Sequence, residues 1–113
     1  MKKDPKHLFT VLALFTMLAA SNAHAVTVLG ALTCQQINDA KTVDPQGIKK
    51  AAVFWTLGYL SGAATVTQKE ILDQVQAEEI ADFVIDYCRL NPTKHMQSAA
   101  SAFEFVLKKR KGL

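Results

Sequence analysis

Cys34 and Cys88 are the residues of this chain best suited to chemistry, and their placement narrows what that chemistry is. A thiol–disulfide oxidoreductase carries two closely spaced cysteines, and these stand far apart. In a small exported domain, two lone cysteines are expected to form one intramolecular bond. The other reactive side chains do not assemble into a set. His95 is the only histidine after position 25, which leaves no metal cluster and, with both sulfurs bonded, no Cys/His dyad. Ser61, Ser98 and Ser101 lack a histidine partner in a recognisable motif. No glycine-rich phosphate loop and no paired-cysteine zinc spacing occurs. The sequence therefore predicts no catalytic residue, no metal, no cofactor and no enzyme activity.

The first residues set the compartment. Lys2, Lys3 and Lys6 stand against Asp4, and an apolar run follows from Leu8 to Ala20. That run is shorter than the roughly 20 residues a bilayer span needs and suits the core of a secretory signal. Ala23 and Ala25 then give the small-x-small cleavage pattern. Residues 1–25 are expected to be a cleavable signal peptide that sends the chain to the periplasm, rather than a retained anchor. Lipid attachment at Cys34 is not expected, because Thr33 precedes it where Gly or Ala is required. Residues 26–113 form one domain of 88 residues, 113 less 25. At this size a core alone is marginal. Closing a loop of about 55 residues between Cys34 and Cys88 stabilises by about 4 kcal/mol in the chain-entropy model.

Removing the three lysines and Asp4 of the first segment leaves ten cations and nine carboxylates, a near-neutral domain. Four of the cations, Lys108-Lys109-Arg110-Lys111, are consecutive. A near-neutral body argues against nucleic acid as a partner. The basic tail suits an anionic surface or, more plainly, a solvated helix end whose dipole the cations complement.

The pattern is all-α, a small bundle of about four helices. Thr33-Cys34-Gln35-Gln36 reads as a capping box that opens a short helix to about Ala40. Asp44-Pro45-Gln46-Gly47 is a turn signal. Ile48 to about Ala64 is the most apolar stretch and carries Phe54, Trp55, Leu57, Tyr59 and Leu60 on nearly every face. Lys49, Lys50 and the Gln68-Lys69-Glu70 run leave it too short for an integral membrane span. It is either buried outright or shared with a second partner. Gly58 and Gly62 would let another backbone approach. Residues 67–76 allow a capping box at Thr67 and Glu70 or an apolar loop returning Ile71, Leu72 and Val75 to the core. Ile80, Phe83, Val84, Tyr87 and Cys88 mark one face of a helix from about Ala77 to Leu90. Asn91-Pro92 is expected to end this helix and start the last one, with Met96, Ala99, Ala100, Phe103 and Val106 or Leu107 facing inward.

Glu78, Asp82 and Asp86 fall at i, i+4 and i+8, with Glu79 beside them and Arg89 the only local cation. Like charges at this spacing repel modestly. The stripe either faces water or finds a partner elsewhere, the basic tail being one.

Two segments carry a family likeness. Leu32-Thr33-Cys34-Gln35-Gln36-Ile37-Asn38-Asp39 resembles the first-helix motif of the HdeA/HdeB periplasmic acid-stress chaperones, where a Thr-Cys pair opens the domain. Ile85-Asp86-Tyr87-Cys88-Arg89-Leu90-Asn91-Pro92 is similar to the segment around the second cysteine of HdeB, and Val53-Phe54-Trp55 falls where HdeB has its tryptophan-bearing helix. The resemblance covers about Leu32 to Phe103 and matches poorly over Ser61 to Val75. It implies a four-helix-type domain with one disulfide, a homodimer near neutral pH. In acid such a protein binds unfolding periplasmic clients through apolar surface and prevents aggregation without ATP. Phe54, Trp55, Leu57, Tyr59 and Leu60 would then be the dimer and client surface, and Glu78, Glu79, Asp82 and Asp86 the pH-responsive groups. Protonating nine carboxylates would leave ten Lys and Arg and His95 repelling one another. Gly58-Tyr59-Leu60-Ser61-Gly62 followed by Asn91-Pro92 also resembles small periplasmic immunity proteins with one dedicated partner, which usually carry more cysteines.

Overall fold

The computed structural model describes residues 30–113. The expected signal peptide lies outside the described residues. Four helices follow in order: α1 (Cys34–Val43), α2 (Pro45–Thr67), α3 (Ala77–Leu90) and α4 (Met96–Arg110). α3 packs against the three others, and α2 also contacts α1 and α4. The all-α fold and the single disulfide are as the sequence predicts.

Local chemistry sets the boundaries of α1 and α2. Thr33 and Gln36 form the expected capping box: the Gln36 N–H donates to Thr33 Oγ1 (3.1 Å) and the Thr33 N–H to Gln36 Oε1 (2.9 Å). α1 runs to Val43, three residues beyond the expected end, and only Asp44 separates it from α2. The Asp-Pro-Gln-Gly turn signal is in fact a helix start. Asp44 is the N-cap, its carboxylate accepts from the Gly47 N–H (3.1 Å), and Pro45 takes the first helical position, where its missing N–H costs nothing. A side chain at 47 would collide with the Asp44 carboxylate. α2 ends at Gln68, which adopts the left-handed conformation (φ 54°). Residues 68–76 form the apolar loop: Ile71 is fully buried, and Leu72 and Val75 are half-buried against the core.

Asn91 does not open the last helix. Its Nδ2 donates back to the Tyr87 carbonyl (2.9 Å) and closes α3. Helix cannot resume before Met96, because His95 is extended (φ −127°, ψ 161°) and pairs with Thr33 in an antiparallel bridge. The Cys34 N–H donates to the Lys94 carbonyl (2.9 Å) and the Met96 N–H to the Leu32 carbonyl (2.8 Å). The start of α1 is thus tied to the start of α4 through backbone. It is tied to α3 through the Cys34–Cys88 disulfide, with Cα atoms 4.7 Å apart, and through Asn38 Nδ2 donating to the Cys88 carbonyl (3.0 Å). Both cysteines are fully buried.

The core fills the space between these ties with Ile37, Leu60, Ile80, Val84, Phe103 and Leu107. Thr56 is the exception: it is fully buried, and its hydroxyl has no hydrogen-bond partner among the described residues. An unsatisfied buried hydroxyl costs about 1–3 kcal/mol, and replacing it with a shape-matched apolar group removes that cost. Thr56→Val should therefore raise the free energy of unfolding by about 1 kcal/mol, read from the urea midpoint. Reduction of the Cys34–Cys88 bond should lower the same quantity by about 4 kcal/mol. It should also slow recovery after acid exposure, followed by circular dichroism.

Candidate functional site

The apolar surface of α2 divides into two unlike faces. Ile48, Ala52, Thr56 and Leu60 recur every four residues and are the buried stripe. Leu60, expected at the dimer and client surface, is fully buried in the folded domain because it closes this stripe. Trp55, Leu57 and Tyr59 flank it half-buried, packed on the core. Trp55 and Tyr59, one turn apart, stack with centroids 5.8 Å apart. Gly30 (φ +77°) lies beside Trp55, where a Cβ would meet the indole nitrogen at an ordinary contact distance of 3.5 Å. Phe54 points outward and is 73% exposed. It shares the outer side with the exposed Ala51, Gly58, Ser61 and Gly62. A Cβ added at either glycine would meet nothing within 4 Å, so this side is open. A shallow groove of about 270 Å³ lies beside Phe54, walled by Val53 and Lys50 of α2 and by Ala77 and Ala81 of α3.

The acidic stripe does not face water as a unit. Glu78 pairs with Lys49 of α2 (2.9 Å), Glu79 with Arg110 of α4 (2.7 Å), and Asp86 with Arg89 on its own helix (2.6 Å). Asp82 is exposed and forms no ion pair among the described residues. The basic tail is a partner of the stripe within one chain, through Arg110. Lys49 is the partner that helical spacing on α3 could not reveal, because it comes from another helix; the Asp-Pro cap that starts α2 at residue 45 sets its height. Glu78 and Glu79 sit in the first turn of α3, where carboxylates also complement the helix dipole.

Between the stripe and α4 lies an open cleft of about 900 Å³. Its floor includes Phe83 and Phe103, stacked with centroids 4.7 Å apart. Its walls carry Lys41, Lys49, Asp82, Asp86, Arg89 and Arg110. Sequence patterning places Phe83 on the inner face of α3 but gives no sign that the seam beneath this ring of charges is open.

Both cysteines are bonded, and no group of three His, Cys, Asp or Glu among the described residues could hold a metal ion. No helix among the described residues is long and apolar enough to cross a membrane. What the site offers is apolar surface framed by charge.

The HdeA/HdeB family model matches residues 8–98. The chain belongs to the HdeA/HdeB family. That match spans both cysteines, α1 to α3 and the first turn of α4. HdeA/HdeB proteins are periplasmic and are known for acid-stress chaperone function. No curated protein and no solved structure matches the chain.

The α2–α3 pair of this HdeA/HdeB domain has a definite pH signature. The Lys49 ammonium is held above its ordinary value, first by its hydrogen bond to Glu78, then by that carboxylate's charge; burial opposes the shift and Asp82 adds to it. A lysine with a raised folded-state pKa contributes stability that is complete below its unfolded value and is lost as pH rises through the folded one. Lys49→Met should therefore melt below the parent from neutral pH to about pH 10, and the gap should close above that. Thermal melts up to about pH 11 read the difference; a gap that stays constant into alkali means the pair contributes nothing.

Proposed function

We propose that this chain is an ATP-independent periplasmic holdase of the HdeB-like kind, exported through residues 1–25 and cleaved after Ala25. In acid it binds unfolding proteins and keeps them from aggregating. Family membership over residues 8–98 carries the reading. The disulfide and the part-exposed aromatic side of α2 support it physically.

Near neutral pH the outer side of α2, with Phe54 projecting among Ala51, Gly58, Ser61 and Gly62, packs against a second copy as a homodimer. Small residues let two such helices approach, and Phe54 supplies the apolar area. As pH falls through the carboxylate range, Glu78, Glu79, Asp82 and Asp86 lose their charge. The pairs to Lys49 and Arg110 that fasten α3 to α2 and α4 go with them. Exposed pairs of this kind contribute little singly. The larger effect is collective: ten Lys and Arg and His95 remain without counter-charge. Helices part, and Trp55, Leu57 and Tyr59 lose their cover and become client surface. Leu60 joins them only when the core itself opens. The disulfide keeps α1 on α3 throughout, so the exposed state stays compact and reverses on neutralisation.

The test is light scattering from an acid-labile periplasmic client at about pH 2 to 5, with and without the protein. Suppression in acid and none at neutral pH is the expected result, with dimer dissociation and apolar-dye binding rising over the same range. Phe54→Ser should weaken the neutral dimer with little effect on the fold. No suppression anywhere in that range sinks the proposal. A single tight partner captured at neutral pH would point instead to a dedicated binding protein.

A further inference from the structure

The four consecutive cations at the end of α4 are held in order rather than frayed. The Leu113 N–H donates to the Lys108 carbonyl (2.8 Å) and the Gly112 N–H to the Lys109 carbonyl (3.2 Å), with Gly112 at φ +68°. This is a Schellman close, and it keeps the last helical turn in register. Phe105, 69% exposed, lies on the side of α4 opposite its buried residues Met96, Ala99, Ala100, Phe103 and Leu107. Lys108 and Lys109 stand three and four residues further on and therefore flank it on the same face. Val106 and Leu113 add exposed apolar surface.

The counter-charges are few. Lys108 pairs with Glu104 (3.2 Å) and Arg110 with Glu79 of α3 (2.7 Å). Lys111 Nζ donates to the Asp73 carbonyl in the loop before α3 (2.6 Å), and Lys109 has no side-chain partner among the described residues. Asp82 of α3 and Lys49 of α2 share the cleft that Arg110 lines.

We propose that this end of α4 docks on an anionic lipid surface, with Phe105 entering the headgroup layer and Lys108 and Lys109 meeting phosphates. An exposed aromatic flanked by two long cationic side chains suits that layer, since the ring reaches the acyl boundary while the ammonium groups snorkel to the phosphates. A second copy of the same face fits poorly, because a two-fold contact would set the cation clusters against each other. An unfolded client in acid is itself cationic. A phosphodiester keeps its charge where carboxylates lose theirs, so protonation of Glu79 and Glu104 frees Arg110 and Lys108 while the lipid stays anionic. Docking therefore strengthens in acid. It is peripheral and reversible, as one apolar side chain with a basic cluster must be. The proposal does not depend on holdase activity.

Co-sedimentation of the purified protein, its N-terminus defined by mass spectrometry, tests it. The vesicles are phosphatidylcholine alone or phosphatidylcholine mixed with phosphatidylglycerol. Binding is expected only to the mixed vesicles, more at about pH 4 than at neutral pH, and less at high salt. Lys109→Gln should lower the partition about fivefold, the factor equivalent to about 1 kcal/mol per cation near an anionic surface. Phe105→Ser should lower it as well. Both side chains are exposed, so circular dichroism and melting should stay at parent values, and both variants should still suppress client aggregation in acid. Equal binding to both vesicle types, no binding at either pH, or parent-level binding by both variants overturns the proposal. Lipid-free self-association that Phe105→Ser abolishes also overturns it, by assigning the face to a second copy.

Discussion

The start of α1 is the point from which the rest of the domain is set. Within a few residues the chain is held by a disulfide to α3, by a backbone bridge to the segment before α4, and by the Asn38 amide on the Cys88 carbonyl. Each tie uses a different interaction and reaches a different part of the chain. α2 has no such anchor at its far end; it is fixed by its short link to α1 through Asp44 and by the buried stripe from Ile48 to Leu60. The domain is therefore covalently closed at the start of α1 and depends on packing and exposed charge pairs elsewhere. In the proposed acid response, ionic contacts are lost while the covalent tie still holds the chain.

The electrostatics follow the same division. Among the described residues two ion pairs cross between helices, and both involve the first turn of α3, where Glu78 pairs with α2 and Glu79 with α4. Asp86 is satisfied locally by Arg89, and Asp82 is left over. A set of carboxylates that looks uniform in sequence is thus three kinds of group: cross-helix, local and unpaired. Asp82, though it forms no ion pair among the described residues, still acts on Lys49 of α2 through its charge.

Much of the fold is legible in the sequence, for identifiable reasons. α3 reads clearly because its inner face alternates at helical spacing and its ends carry unlike chemistry. The capping box at Thr33 and Gln36 is local and needs no tertiary context. Asp44-Pro45 misleads because the same dipeptide opens turns and helices, and only the carboxylate's bond to the Gly47 N–H separates the two. Asn91-Pro92 misleads for a tertiary reason, the bridge that holds His95 extended. Among the candidate site residues, the exposure of Phe54 and the burial of Leu60 depend on how α2 is rotated. With apolar residues on nearly every side, periodicity could not fix that rotation. Lys49 as partner to Glu78 was invisible for the same reason, while Arg110 as partner to Glu79 was open to inference from charge imbalance alone.

The chain carries one tryptophan, and its position gives that side chain an optical meaning. Trp55 is stacked on Tyr59 at the half-buried edge of the core, with Gly30 beside it. Its emission reports on the seating of α2 at that edge rather than on the molecule as a whole. Far-ultraviolet ellipticity, by contrast, averages over all four helices. The two signals together separate a loosened α2 from a melted bundle in a single titration, with no label added to the protein.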